Sequence, residues 1–341
     1  MRQAVTTAVR TIELSDAIEP AAPGPGEALL AIASVGICGS DIGMWAATDP
    51  YATFPIRQGH EFSAHILALD PDYQGPLEVG ELVAVEPLLP DRSCLACRRG
   101  HPNCCRNLVV IGGHIDGALC ERLVVPIANL YEADDLTPDL AAFVEPVSIA
   151  LQMVSRSRLE PGDRAVIFGA GPIGQALQVA AGDGGARLMS VDIVPGRLER
   201  ALSNGAEIVH DARDGHVEDR IGEWTQNEGP AVVFEATGVS AVLRQAIDVV
   251  ANSGTVVVAG TSNDDVTIPS LTLVKKELNL LGSRNNAGLY SAAVDLVRRY
   301  RDRCEWLITH RVTLSEVQAA MEFAEADPSA ANKMMVRIGS V

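Results

Sequence analysis

Four side chains in one short segment have the spacing of a metal-binding loop. The pattern D-x2-C-x2-C-x7-C is formed by Asp91, Cys94, Cys97 and Cys105. Gly100 and Pro102 make this loop compact enough to bring four ligands onto one ion, and zinc sites closed by four protein ligands are structural. Because a carboxylate is a less usual zinc ligand than a thiolate, Cys104 is an alternative fourth ligand, and a reduced loop without metal is the alternative state.

A second set of metal-ligand types is spread over a longer stretch, at Cys38, His60, Glu61 and Glu145. Taken singly these residues are weak evidence, because a lone cysteine usually belongs to a core and a lone histidine is usually satisfied by hydrogen bonds. Neighbouring residues of a regular strand point to opposite faces, so His60 and Glu61 can share an ion only if the backbone bends. Gly59 permits such a bend.

A glycine-rich turn near the middle of the chain predicts a dinucleotide site. The G-x-G-x-x-G pattern, between a predicted strand and a predicted helix, is formed by Gly169, Ala170, Gly171, Pro172, Ile173 and Gly174. Asp192 ends the next predicted strand, 18 positions beyond Gly174, where an acid hydrogen-bonds a ribose 2′-hydroxyl and repels a 2′-phosphate. We therefore predict NAD rather than NADP, with Arg197 nearby as a residue that weakens the preference; the alternative is an ordinary glycine turn followed by a strand-end aspartate.

The elements that must position these residues fall into two regions with different sequence patterns. Residues 1–147 are rich in glycine, proline and short β-type runs, including Ala28–Val35, Glu81–Val85 and Arg122–Val125, and predict an irregular, mostly β domain. From about Asp163 strands alternate with helices, which predicts an α/β domain with a doubly wound parallel sheet over residues 148–284. Residues 285–341 contain two helical patterns and a final strand, Met334–Ile338, too little for a third core, so we expect them to return to the first domain.

Composition restricts the class of function. A chain of 341 residues suits two domains with an active-site cleft between them. The formal charge of −17 repels phosphate backbones and anionic membranes, so we expect neither nucleic-acid nor membrane binding. Seven cysteines, an odd number with four between Cys94 and Cys105, indicate metal binding in the cytoplasm rather than a disulfide framework.

Six motifs in this order resemble the zinc-containing medium-chain dehydrogenases, in the branch of sorbitol, threonine and sugar-acid dehydrogenases. They are V-G-I-C-G-S-D at 35–41, G-H-E at 59–61, the cysteine loop, V-E-P at 144–146, the glycine turn and G-S-R-N at 282–285. The resemblance implies a GroES-like, mostly β catalytic domain and a Rossmann domain. It also implies a catalytic zinc on Cys38, His60 and Glu61, with Glu145 as fourth ligand or as partner of the zinc-bound water or substrate oxygen.

The same resemblance implies that Ser40 is the first proton acceptor. Many relatives carry a histidine two positions after the aspartate of this motif, but that position is Gly43 here, so the proton must leave by another route. Arg284 and Asn285 are candidate substrate-binding residues. Further candidate cofactor contacts are Thr237, Gly260 and Ser283.

The motifs S-R-N and N-C-C look closest to the hexonate type, such as L-gulonate, L-galactonate and L-idonate 5-dehydrogenases. We expect a homodimer or homotetramer that transfers hydride from a polyol or sugar acid to NAD. The alternatives are a zinc dehydrogenase of an amino alcohol or aminocyclitol, and a non-catalytic NAD-binding sensor.

Overall fold

A computed structural model describes residues 1–49 and 52–339. The chain forms two compact units, Met1–Glu145 with Tyr290–Val341, and Pro146–Leu289. The domain boundaries predicted from the sequence lie between residues 147 and 148 and between residues 284 and 285. Within the described residues, no helix has the length and apolar character needed to span a membrane.

The N-terminal part of the first unit is mostly β-structure. Its strands are β1 (Arg2–Ala8), β2 (Thr11–Asp16), β3 (Glu27–Ile37), β4 (Glu61–Leu69), β5 (Leu82–Val85), β6 (Leu88–Leu89), β7 (Val109–Val110), β8 (Arg122–Pro126) and β9 (Leu130–Glu132). Its short helices are α1 (Gly39–Trp45), α2 (Leu95–Arg98) and α3 (Pro138–Ala142). Single turns of 3-10 helix lie at Pro102–Cys104 and Ile127–Asn129.

The second unit alternates strands and helices. In chain order its elements follow α4 (Val144–Ser157) as β10 (Arg164–Phe168), α5 (Pro172–Asp183), β11 (Arg187–Asp192), α6 (Pro195–Ser203), β12 (Ile208–Asp211), α7 (Val217–Thr225), β13 (Val232–Glu235), α8 (Ser240–Val249), β14 (Thr255–Val258), α9 (Ser270–Lys276) and β15 (Asn279–Gly282). All six strands are parallel, in the order β12-β11-β10-β13-β14-β15. This is the doubly wound Rossmann order, in which ligands bind beyond the carboxyl ends of the strands where the order reverses, here between β10 and β13.

The C-terminal segment completes the sheet of the first unit. It contains α10 (Tyr290–Arg299), α11 (Arg301–Leu307), β16 (Ile308–Thr313), a 3-10 turn at Leu314–Glu316, α12 (Val317–Ala326) and β17 (Lys333–Arg337). The seven-stranded sheet has the order β16-β17-β3-β4-β5-β9, and β8 also pairs with β3. The prediction of two helical patterns in this segment was wrong: its described part, residues 285–339, has three α-helices and an additional strand. Tyr300, at φ −115° and ψ 32°, separates α10 from α11 without a glycine or proline to mark the break.

Candidate active site and metal centres

Three of the predicted zinc ligands come together at one end of the seven-stranded sheet. Cys38 follows the last residue of β3 and begins α1, while His60 and Glu61 stand at the start of β4. β3 and β4 are antiparallel, with Gly36 opposite Glu61, so the end of one strand lies beside the beginning of the other. Ligand atoms of Cys38, His60 and Glu61 all lie within 4.8 Å of one another.

The bend at Gly59 makes this grouping possible. Gly59 has φ +100°, a left-handed conformation that favours glycine, and regular strand structure starts only at Glu61. A Cβ at Gly59 would also lie 2.8 Å from Val35 Cγ1. Backbone angle and packing therefore both require glycine immediately before His60.

Asp41 orients His60, a role that the sequence analysis did not give it. The buried carboxylate of Asp41 lies with Oδ1 3.4 Å from His60 Nδ1, and its Oδ2 accepts a hydrogen bond from Cys38 N at 2.9 Å. Burial has the largest single effect and lowers the pKa of His60, but the charge of Asp41 and the hydrogen bonds to Asp41 and Cys38 together outweigh it and leave that pKa well above its usual value. With Nδ1 turned to Asp41, Nε2 is the nitrogen left for a metal.

Lys333 is a second residue that the sequence analysis missed. Its Nζ donates to both carboxylate oxygens of Glu61, at 2.9 and 2.6 Å, and to Ile37 O at 3.2 Å. Both side chains are 1% exposed, so this ion pair is fully buried. Burial has the largest single effect and lowers the pKa of Lys333, but the charges of Glu61, Cys38 and Glu145 and the hydrogen bond to Glu61 together outweigh it, so that pKa is raised. The sequence signal that could have identified Lys333 is a lysine at the first position of an otherwise apolar strand.

Glu145 and Ser40 occupy different positions around this group. Glu145 is buried near the start of α4, and burial followed by the charge of Glu61 raises its pKa to about 8. Its carboxylate is outside the set of atoms that lie within 4.8 Å of one another. Ser40 is exposed in the first turn of α1, two residues after Cys38.

The cysteine loop brings its four predicted ligands together, and Cys104 is not among them. Ligand atoms of the group lie within 4.8 Å of one another; its members are Asp91, Cys94, Cys97 and Cys105. Hydrogen bonds from the backbone N–H groups of Cys97 and Arg106 lower the pKa of Cys94 to about 6. Three thiols and one carboxylate at this spacing fit a tetrahedral divalent metal.

The glycine turn of the second unit has the form that a dinucleotide requires. A Cβ at Gly174 would overlap Gly169 O, and Gly169 itself has φ +95°, so both glycines are needed for the tight turn and for helix packing. Gly171 caps the N-terminus of α5, and the nearest atoms to a Cβ there belong to the Arg197 guanidinium at 3.8 Å. The turn therefore leaves room for an anion at the start of the twelve-residue helix, whose first residues are Pro172 and Ile173.

Asp192 ends β11 with its carboxylate held by backbone N–H groups. Oδ2 accepts from Ala170 N at 2.7 Å, and Oδ1 accepts from the N–H groups of Ile193 and Val194 at 2.8 and 3.0 Å. Arg197 Nη1 lies 3.8 Å from Oδ2. A carboxylate has about four acceptor sites, so these contacts leave capacity for a ribose hydroxyl.

The remaining cofactor candidates lie at the carboxyl ends of neighbouring strands. Thr237 N donates to the buried Glu235 at 2.7 Å, and a Cβ at Gly260 would overlap Gly238 N, so packing alone accounts for Gly260. Ser283 follows β15, and its buried Oγ has no hydrogen-bond partner within residues 1–49 and 52–339. The next residues in this loop are Arg284, which is exposed, and Asn285, which has φ +45°.

Comparisons with known proteins agree with this architecture. Residues 172–299 match the family model of zinc-binding dehydrogenases, and residues 24–135 match that of the alcohol dehydrogenase GroES-like domain. The chain is 34% identical over 301 residues to L-galactonate-5-dehydrogenase of Escherichia coli (strain K12), an alignment that covers 86% of this chain and 87% of the relative.

Two solved structures share the fold over almost their whole length. A short-chain alcohol dehydrogenase from Escherichia coli CFT073 complexed with NADH has a TM-score of 0.93 at 26% identity and covers 99% of both chains. A structure from Sinorhizobium meliloti 1021 bound to NADP has a TM-score of 0.90 at 28% identity and covers 98% of both. The predicted fold class, a GroES-like domain with a Rossmann domain, is confirmed. The chain belongs to the zinc-containing medium-chain dehydrogenases, and it is an oxidoreductase of the group that contains polyol and sugar-acid dehydrogenases.

Proposed function

We propose that this enzyme oxidises a secondary alcohol of a polyol or hexonate-type sugar acid and transfers the hydride to NAD. The observation that carries the proposal is the close grouping of Cys38, His60 and Glu61. One thiolate, one imidazole and one carboxylate form a harder donor set than two thiolates, which suits a substrate that presents neighbouring oxygens to the metal. The similarity to L-galactonate-5-dehydrogenase supports the same substrate class.

In this proposal Cys38, His60 and Glu61 hold a catalytic zinc, and other residues of the chain have separate roles around it. When bound, zinc supplies Lewis acidity that lowers the pKa of a substrate hydroxyl. Asp41 fixes the imidazole of His60. Lys333 balances the charge of the buried Glu61 carboxylate.

Proton transfer and substrate orientation involve different side chains. Ser40 lies in the first turn of α1, two residues after Cys38, which is near the reacting oxygen. Its Oγ accepts the proton of the substrate hydroxyl and releases its own proton onward. Glu145 is outside the close group, which favours its role as a hydrogen-bond partner of the reacting oxygen over a role as fourth ligand. Arg284 and Asn285 bind hydroxyl or carboxylate groups of the substrate.

We propose NAD as the cofactor because a 2′-phosphate would meet the buried carboxylate of Asp192. The Arg197 guanidinium lies 3.8 Å from that same carboxylate. The turn from Gly169 to Gly174 binds the pyrophosphate, and Thr237, Gly260 and Ser283 lie where the strand ends meet the rest of the dinucleotide. The buried, unpartnered Oγ of Ser283 is a donor that the cofactor would satisfy.

We propose that a second zinc binds the cysteine loop, and that the enzyme is a cytoplasmic homodimer or homotetramer. Seven free thiols suit a reducing compartment. Exposed Leu271 and Val274 on α9, the helix that precedes the edge strand β15 in the chain, support association with a second copy. Light scattering gives the number of subunits, and metal analysis of the purified enzyme should give about two zinc ions per chain.

The test is NAD reduction over aldonates, alditols, cyclitols and β-hydroxy amino acids, with zinc-stripped enzyme as control. We expect turnover with aldonates or alditols, and its loss in Cys38→Ser and His60→Ala while NAD still binds. Cys104→Ser, which removes an exposed thiol outside both groups, is the matched control and should remain active. Normal turnover by either ligand variant would refute the assignment, preference for amino alcohols would favour the alternative substrate class, and NAD binding without turnover would indicate a sensor.

A further inference from the structure

The metal group of the cysteine loop contains one oxygen ligand, and Asn107 contacts it directly. Asn107 Nδ2 donates to Asp91 Oδ2 at 2.6 Å. The other oxygen, Oδ1, lies 3.2 Å from Cys105 Sγ and 4.0 Å from Cys97 Sγ. The two carboxylate oxygens are therefore divided, one towards the thiols and one towards the amide.

These distances place Oδ1 at the fourth corner of a tetrahedron. With metal–sulfur bonds of about 2.3 Å and a metal–oxygen bond of about 2.0 Å, sulfur atoms should lie about 3.8 Å apart and sulfur and oxygen about 3.5 Å apart. Cys94 Sγ and Cys97 Sγ are 3.6 Å apart, and the two sulfur–Oδ1 distances lie on either side of the expected value. Oδ2 is not needed as a ligand.

A carboxylate in this position needs support that a thiolate does not. It has two equivalent oxygens and rotates about its Cβ–Cγ bond, and Asp91 is exposed, so water competes for both oxygens. Ser93 N donates to Oδ1 at 2.9 Å, but Asn107 holds the oxygen on the far side. Together the two donors stop the rotation.

We propose that Asn107 is a positioning residue for a divalent metal bound by the cysteine loop. By holding Asp91 Oδ2, it presents Oδ1 as a single, fixed ligand alongside three thiolates. This inference rests on the proposed second zinc site and adds the residue that its oxygen ligand requires. Because outer hydrogen-bond partners change metal affinity by about 10- to 100-fold, the contribution of Asn107 is measurable.

The test is Co²⁺ titration of metal-stripped protein, followed by the thiolate-to-metal absorption band and by competition with a chelator. A Cys38→Ser background removes the thiolate of the other metal group, so the band reports the cysteine loop alone. We expect Asn107→Ala to weaken Co²⁺ binding by about 10- to 100-fold. Arg106→Ala, which keeps its backbone N–H to Cys94 Sγ, is the matched control and should bind normally.

A double-mutant cycle distinguishes positioning from a general loosening of the loop. In an Asp91→Cys background there is no carboxylate to hold, so Asn107→Ala should change affinity by no more than about twofold. The proposal would be overturned if Asn107→Ala weakened Co²⁺ binding equally in both backgrounds, or if it did not weaken Co²⁺ binding in the background that retains Asp91. If the Cys38→Ser chain with Asn107 intact gives no thiolate band with Co²⁺, the loop binds no metal and the inference fails. NAD reduction by the unmodified chain that is lost in Cys38→Ser would still leave the proposed enzymatic function intact.

Discussion

Replacing Lys333 with methionine tests how the buried charges of the first unit are balanced. Methionine keeps most of the aliphatic volume and removes the only group that donates to both oxygens of Glu61, at 2.9 and 2.6 Å, within residues 1–49 and 52–339. Because Glu61 is 1% exposed, water does not replace the lost cation without structural change. The variant therefore leaves a buried carboxylate without its partner.

The cost follows from the burial of the pair, since both side chains are 1% exposed. Removing one member of a buried ion pair lowers the free energy of unfolding by about 3–5 kcal/mol. We expect metal-free Lys333→Met to lose stability within this range, about 3–5 kcal/mol.

Zinc should reduce this loss, since it brings positive charge to the same carboxylate. By linkage, the variant then binds zinc at least about tenfold more tightly than the unmodified protein, although it is less stable without the metal. Urea unfolding of stripped and zinc-loaded protein, together with zinc competition against a chelator, measures both quantities.

Two controls isolate the ion pair. Lys275→Met removes an exposed lysine and should change stability by no more than about 0.5 kcal/mol. The double variant Glu61→Gln/Lys333→Met carries no unpaired charge and should recover most of the stability of the metal-free protein. Unchanged stability of metal-free Lys333→Met, or weaker zinc binding by it, would show that Lys333 does not balance Glu61.

Three further substitutions test the backbone, the charge network and the cofactor site. Gly59→Ala should reduce the free energy of unfolding, measured in urea, by about 2–4 kcal/mol. The control Gly162→Ala should reduce it less, since Gly162 has a similar φ of +91° but open space around its Cβ position. Equal losses would mean that contact with Val35 is irrelevant. Asp139 is buried and accepts hydrogen bonds from Ser34, Arg311 and Arg337. Burial has the largest single effect and raises its pKa, but these three partners together outweigh burial and lower that pKa below its ordinary value. The stability that Asp139 contributes is therefore present above the ordinary carboxyl pKa and is lost as pH falls through the lowered pKa. Asp139→Asn should reduce the free energy of unfolding by about 2–3 kcal/mol at pH 7 and by almost nothing in strong acid. A loss of stability that does not depend on pH would contradict this. Asp192→Ala should raise the ratio of kcat/KM for NADP to that for NAD by at least about tenfold, and an unchanged ratio would remove Asp192 from cofactor selection.

Local sequence signals predicted the second unit closely. The alternation of strands and helices predicted from Asp163 onward is present. Its strands Arg164–Phe168 and Val232–Glu235 are short apolar runs bounded by turn residues, because buried parallel strands are apolar on both faces. The grouping of His60 with Glu61 depended on a bend, and Gly59 was the visible signal for it.

Long-range pairings were not predictable in the same way. Lys333 and Glu61 are separated by 272 residues, and nothing local to either position indicates the other. Asp41 was visible as part of a motif, but its contact with His60 depends on how α1 follows β3. β16 was missed because its polar residues, including His310 and Arg311, obscure a strand pattern that only pairing with β17 stabilises.

The pairing of β17 with β3 also sets an order of events during synthesis. Lys333 Nζ reaches Ile37 O across 296 residues, and the complete Rossmann unit lies between them in the chain. A ribosome therefore releases Cys38, His60 and Glu61 long before the strand that carries their compensating cation. Until that strand docks, the Glu61 carboxylate must remain hydrated, so a nascent chain that ends before residue 333 cannot close this end of the sheet around it.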